Sequence, residues 1–127
     1  MKLNPDLVRD LLLTVEDICD FNHCMEYSKT STSFERLKKY SHDEIVYHVK
    51  QCSQDNLIDG VTYYDNGEYF RINDLTPKGH TFIANIKDDN IWSTVKSHAR
   101  SMGVSSLSAL TKIAINVVSN IISNHFS

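Results

Sequence analysis

The sequence lacks any apolar run approaching the roughly eighteen residues that a membrane-spanning helix needs. Its first residues also lack the positively charged segment followed by an apolar stretch that marks a secretory signal peptide. The three cysteines are too sparse, and odd in number, for the disulfide framework of a small secreted protein. These absences predict a cytoplasmic protein with free thiols.

Low-complexity tracts and internal repeats are missing as well, which argues against a disordered chain or a solenoid. What is present is an ordinary globular composition, 41% hydrophobic and 23% charged, in 127 residues. A chain of this length buries roughly two-thirds of the surface that its unfolded form exposes. One hydrophobic core is therefore expected.

Acidic residues are absent from residues 90–127, which carry three Lys/Arg, whereas residues 1–89 hold 10 Lys/Arg and 16 Asp/Glu. The two parts thus have formal charges of +3 and −6. The basic part can dock on the acidic part, or it can offer a mildly basic surface to a partner. The sequence favours docking.

Helical spacing of apolar residues behind capping residues predicts five helices. The first runs from about 5 to 19 behind Asn4. The second runs from about 42 to 55, behind a capping box formed by Ser41 and Glu44.

The other three helices follow in the last part of the chain. One begins behind Thr76 and one covers about 90 to 102 and ends at Gly103. The last follows a serine at 105 or 106 and carries a wide apolar stripe. That stripe either completes the core of the monomer or forms the seam of a homodimer. The candidate seam residues are Leu110, Ile113, Val117 and Ile121.

Two strands are predicted between the second and third helices. Val61–Tyr64 and Glu68–Ile72 are rich in β-branched and aromatic residues, and they flank Asp65-Asn66-Gly67, a sequence typical of a tight hairpin turn. Asn56 is expected to end the second helix, because asparagine tolerates the left-handed backbone conformation. Residues 20–40 show no clear periodicity and carry no structural prediction.

Segments around the hairpin resemble the part of winged-helix proteins that leads from the recognition helix into the wing: Ile45–Lys50, Asn56–Gly60 and Leu75–His80. A wider set is similar to a family of uncharacterised bacterial and prophage proteins: Met1–Arg9, Tyr47-His48, Leu57–Gly60, Asp74–Thr76, Gly79-His80 and Asp89–Trp92. The resemblance implies a winged-helix-like core, a frequent setting in phages or other mobile elements, and no catalytic residues. The expected fold is α+β, mostly α, with a winged-helix-like core at 1–89 and a helical hairpin at 90–127 that packs on the core or joins two copies.

No motif in the sequence indicates an enzyme or a metal site. It has no nucleophile beside a base, no glycine-rich phosphate loop and no paired-carboxylate motif. Cys19, His23, Cys24 and Cys52 suit zinc by type, but they lack the close pairs typical of structural zinc sites. We therefore predict a non-enzymatic binding protein without metal or cofactor.

DNA and protein are both candidate partners. The resemblance favours a DNA-binding regulator of phage or mobile-element origin. The charge distribution favours a protein-interaction module or inhibitor, because the second helix carries few cations and the hairpin tip is acidic. Both remain open, whereas membrane attachment is disfavoured because the polar face of the last helix has a single charge. The candidate nucleic-acid contacts are Arg36, Lys38, Lys39, Tyr47, His48, Lys50, Gln51, Gln54 and Arg71, although for His48 a packing role is favoured.

Overall fold

Helices make up most of the structure, a computed structural model that describes residues 1–126. The fold is α+β, as predicted. The helices are α1 (Pro5–Ile18), α2 (His42–Gln54), α3 (Pro77–Ile86), α4 (Asp89–Met102) and α5 (Leu107–Phe126). The strands are β1 (Met25–Ser28), β2 (Ile58–Asp59), β3 (Thr62–Tyr64), β4 (Tyr69–Ile72) and β5 (Asp74–Leu75).

The helices begin at the predicted capping residues. The Asn4 side chain accepts hydrogen bonds from the backbone of the first turn of α1. The capping box of α2 is confirmed: the Glu44 amide donates to Ser41 Oγ at 3.2 Å, and the Ser41 amide donates to Glu44 Oε1 at 3.1 Å. Thr76 Oγ1 accepts from the Gly79 amide at the start of α3. These local signals fix where each helix starts.

The strands form two antiparallel sheets, one in the order β1-β4-β3 and one pairing β2 with β5. The predicted hairpin is confirmed, with a short 3-10 turn at Asp65–Gly67 between β3 and β4. Strand β1 was not predicted. Its alternation of buried and exposed residues spans only four positions. Its pairing strand is β4, where Ile72 lies opposite Met25, far along the chain.

Helix α1 lies at the centre of the core. It contacts α2, α3 and β5, and its apolar residues are fully buried on more than one side. These residues are Leu7, Val8, Leu11, Leu12 and Val15. Because other elements surround α1, its burial ties the strand-bearing part to the helices that follow.

Helix α4 docks on the start of α1 through polar contacts. Trp92 Nε1 and Lys96 Nζ both donate to Asp6 Oδ1, each at 2.9 Å. Burial alone would raise the pKa of Asp6, but the hydrogen bonds from Lys96 and Trp92 lower it below its usual value. The basic part of the chain therefore contacts the acidic part through Lys96, whereas Arg100 and Lys112 form no ion pair within the described residues.

The apolar stripe of α5 packs mainly inside the chain. Leu110, Ile113 and Val117 are buried in the common core, and α5 contacts α3 and α4. Of the proposed seam residues, these three therefore complete the monomer core instead, and Ile121 alone is exposed. None of the helices in the described part of the chain is long and apolar enough to cross a membrane.

Candidate macromolecule-binding surface

The outer side of α2 and the tip of the β3–β4 hairpin form one continuous surface, which we call the α2–hairpin face. A groove of about 370 Å³ separates the two elements and is lined by Val46, Lys50, Tyr63, Asn66 and Gly67. The Tyr63 side chain is exposed in this groove, whereas the Tyr64 side chain is exposed in a neighbouring cavity beside Lys29 and Tyr69. The face thus combines a shallow groove of mixed polarity with an accessible aromatic ring on each side of the hairpin.

The hairpin tip owes its shape to three consecutive residues with positive φ. Asp65, Asn66 and Gly67 have φ values of 52°, 55° and 88°. A Cβ at Gly67 would lie 3.6 Å from Val46 Cγ1, which is an ordinary contact, so the left-handed backbone and not lack of space favours glycine there. The Lys29 amide donates to the Glu68 carbonyl at 2.8 Å and ties the tip to the end of β1.

Most of the cations predicted to contact DNA are already paired. Lys50 is exposed on α2 and forms no ion pair within residues 1–126. The others bind nearby carboxylates: Arg36 with Asp17, Lys38 with Glu35 at 2.8 Å, Lys39 with Asp10 at 3.4 Å, and Arg71 with Glu26 at 2.8 Å. Each pair is close to neutral, so this group of residues is not a basic surface.

Carboxylates dominate the same side of the molecule. In the described part of the chain, no Lys or Arg nitrogen lies within 4.0 Å of the carboxylates of Asp43 and Asp65. Both residues line an open cavity of about 490 Å³, together with Glu68, and Lys29 is the cation beside them. The distance from Lys29 Nζ to Glu68 Oε1 is 3.9 Å, at the limit of an ion pair. The end of the α2–hairpin face that holds Asp43, Asp65 and Glu68 is therefore acidic, whereas the groove carries Lys50.

His48 is removed from the candidate contacts because it is only 1% exposed. Its Nε2 accepts a hydrogen bond from the Asn4 amide at 2.8 Å, and its Nδ1 donates to the Glu44 carbonyl at 2.7 Å. Both ring nitrogens are thus satisfied inside the protein, and the ring cannot reach a base or a phosphate. This burial agrees with the packing role that the sequence favours for His48.

The remaining candidates lie in separate places. Tyr47, Lys50, Gln51 and Gln54 share the accessible part of α2. Arg36 and Lys39 are held against carboxylates of α1, as Asp17 and Asp10 belong to that helix. Arg71 lies on β4 opposite Glu26 of β1. The structure therefore groups the α2 residues but not the other cations.

Sequence reasoning missed the exposed aromatic residues. Tyr63 and Tyr64 lie in a predicted strand, where aromatic residues usually pack. Phe21 is fully exposed in a tight turn closed by two backbone hydrogen bonds between Asp20 and His23. Asp20 Oδ1 also accepts from the Asn22 amide at 2.8 Å, and the hydrogen bond from His23 lowers the pKa of Asp20. The turn-forming Asp and Asn are the signal that would have located this turn.

Burial raises the pKa of Cys19 to about 11 and raises that of Cys52 further, so both are neutral thiols near pH 7. Within the described residues, no group of three or more His, Cys, Asp or Glu is placed to hold a metal ion.

Two comparisons relate the chain to known proteins. An uncharacterized protein of Haemophilus influenzae (strain ATCC 51907 / DSM 11121 / KW20 / Rd) is 26% identical over 124 residues, covering 96% of this chain and 99% of the relative. No solved structure matches the chain. The family described as "Hypothetical protein (DUF2513)" matches residues 2–105, which include all elements except α5. The chain therefore belongs to the DUF2513 family.

Proposed function

We propose that this chain is a non-enzymatic protein-interaction module that binds a basic segment of a partner protein on its α2–hairpin face. The observation that carries the proposal is the contrast in pairing. Asp43 and Asp65 have no cationic partner among the described residues, whereas four of the five cations expected to bind DNA are neutralised by carboxylates. The acidic end of the face attracts cations and repels phosphates.

The exposed tyrosines fit the same kind of partner. Tyr64 lines a cavity together with Asp65 and packs on Tyr69 with ring centroids 5.3 Å apart, and Tyr63 is exposed in the groove beside α2. Tyrosine is common among the residues that dominate binding energy at protein interfaces. A guanidinium can stack on such a ring while it donates to a carboxylate. An arginine-rich segment therefore matches the chemistry of the face.

A nucleic-acid-binding protein of the host or of a phage offers such a segment. Its basic surface would be covered by the acidic face, so that binding would block access to nucleic acid. The mobile-element setting implied by the resemblance is compatible with an inhibitor of this kind. The partner is thus defined by its basic surface.

Removal of two carboxylates from the face tests the proposal. We expect the double variant Asp43→Asn/Asp65→Asn to bind a fluorescein-labelled arginine-rich peptide about tenfold more weakly at low salt, a change of about 1.4 kcal/mol. Fluorescence anisotropy measures the affinity. The matched control Glu35→Gln/Asp59→Asn removes the same charge elsewhere. An equal loss in both variants would show that net charge alone attracts the peptide, and would contradict the proposal.

DNA binding is the second candidate function. It is favoured by the order helix, strand, helix, hairpin, and by Lys50, Gln51 and Gln54 on the accessible part of α2. Exposed ion pairs such as Lys38–Glu35 contribute only about 0 to 1 kcal/mol, so duplex DNA could recruit those lysines.

A titration of random duplex DNA at low and at higher salt separates the two functions. For the protein-interaction module we expect no salt-sensitive binding in fluorescence anisotropy. Binding that weakens steeply with salt, and weakens further in Lys38→Glu/Lys39→Glu, would instead identify a DNA-binding regulator. If charge reversal at these two lysines left a measured duplex affinity unchanged, they would be withdrawn as DNA contacts.

A further inference from the structure

Helix α5 has a second apolar side that the core does not cover. Ile115 is 51% exposed, Ile122 is 53% exposed and Phe126 is 81% exposed. Val118 lies between them and is half-buried. We call these four residues the outer stripe. It lies on a different side of α5 from Leu110, Ile113 and Val117, which fill the core.

The spacing of the outer stripe is that of a helix-pairing seam. Ile115, Val118 and Ile122 are three and four residues apart, as are the a and d positions of a heptad, and Phe126 extends the row by one turn. The stripe exposes on the order of 400 Å² of apolar surface, so a pair of stripes would bury roughly 800 Å², the size of a weak interface.

We propose that a second copy of this chain covers the outer stripe, by antiparallel pairing of the two α5 helices. The chain has no Asp, Glu, Lys or Arg from Ile113 to Phe126. In paired helices, charged residues beside the seam determine which partner helix is preferred. Because α5 has none there, nothing in this segment disfavours pairing with an identical helix. A two-fold symmetric contact needs only a surface that is complementary to itself.

The antiparallel direction follows from the remaining charge and from the helix dipoles. A two-fold axis near residue 120 places Ile122 beside Val118 of the second copy and Phe126 beside Ile115. It separates the two Lys112 residues by about 24 Å along the helix axis, at 1.5 Å per residue. Parallel pairing would bring these two lysines together and align the dipoles unfavourably.

Sedimentation equilibrium of the full chain, from low micromolar to submillimolar concentration, tests the proposal. We expect a concentration-dependent shift from a mass of 14.5 kDa towards twice that value. Ile122→Glu places a carboxylate in the seam and should raise the dimer dissociation constant at least tenfold. The control Asn120→Glu adds the same charge on another side of α5 and should leave it unchanged. Circular dichroism checks that both variants fold.

Three outcomes would overturn the proposal: a wild-type monomer throughout the concentration range, an equal effect of both variants, or a dimer that persists in Ile122→Glu. A vesicle of phosphatidylglycerol separates a lipid-binding stripe from a dimer seam. Co-sedimentation with this vesicle by a chain that is monomeric in solution would assign the stripe to a membrane surface. The arginine-rich peptide should still bind Ile122→Glu, so this test is independent of the proposed function.

Discussion

Gly79→Ala is expected to destabilise the protein by about 3 kcal/mol, although alanine is the better helix former by about 1 kcal/mol. A Cβ at position 79 would lie 2.1 Å from the Leu57 carbonyl oxygen and 3.1 Å from its carbonyl carbon. The obstacle is backbone, so no side-chain rotation relieves the clash. The same carbonyl accepts a hydrogen bond from the Thr76 amide at 3.1 Å. Relief of the clash must therefore move α3 away from the β2–β5 pair.

Urea unfolding followed by circular dichroism measures this effect. The control Thr81→Ala changes an exposed position of the same helix, and its free energy of unfolding should stay within about 0.5 kcal/mol of the wild-type value. If Gly79→Ala were as stable as the wild type or more so, the close packing of α3 on Leu57 would be wrong.

The second large effect is expected at His48. His48→Ala should lower the free energy of unfolding by about 2 to 3 kcal/mol, because it leaves a cavity and removes two hydrogen bonds. One of these bonds links α2 to the segment before α1, at Asn4. The exposed His98→Ala is the matched control and should change stability little.

His48 also predicts how stability depends on pH. Burial lowers the pKa of His48 below its usual value of 6.5. The unfolded chain therefore takes up a proton at a higher pH than the folded chain does, so stability falls as the pH drops through about 6.5 and on to the folded pKa. Below the pKa of His48 in both the folded and the unfolded chain, its contribution to stability no longer changes with pH.

Unfolding curves near pH 7.5 and about pH 5.5 measure the loss. The wild type should lose more stability between the two conditions than His48→Ala does. An identical loss in both proteins would mean that His48 does not carry this pH dependence.

The parts of the fold that could be predicted depend on residues close together in the sequence. Ser41 and Glu44 cap α2 three residues apart, and Asn66-Gly67 forms the hairpin turn. Gly103 ends α4 with a φ of 70°, as expected for a helix C-terminus. Strand β1 could not be predicted because it is stabilised by pairing with β4, which lies far along the chain.

The candidate site was less predictable for the same reason. Lys39 and Arg36 look free in the sequence, but the carboxylates that pair with them lie on α1. His48 lies one position away from the apolar row of α2, yet it is buried, and the Asn4 amide before α1 donates to its ring. Sequence spacing shows which side of a helix a residue occupies, but not which other segment lies over that side.

The contacts of α1 with α3 and α4 determine when the core can form during translation. Arg9 binds the Ile86 and Lys87 carbonyl oxygens and the Asp89 carboxylate, and Asp6 accepts from Trp92 and Lys96. The ribosome releases α1 first, so α1 has only its contacts with α2 and β5 until these later segments emerge. The core therefore closes only after most of the chain has been translated, and chains terminated before α4 should expose α1 and aggregate.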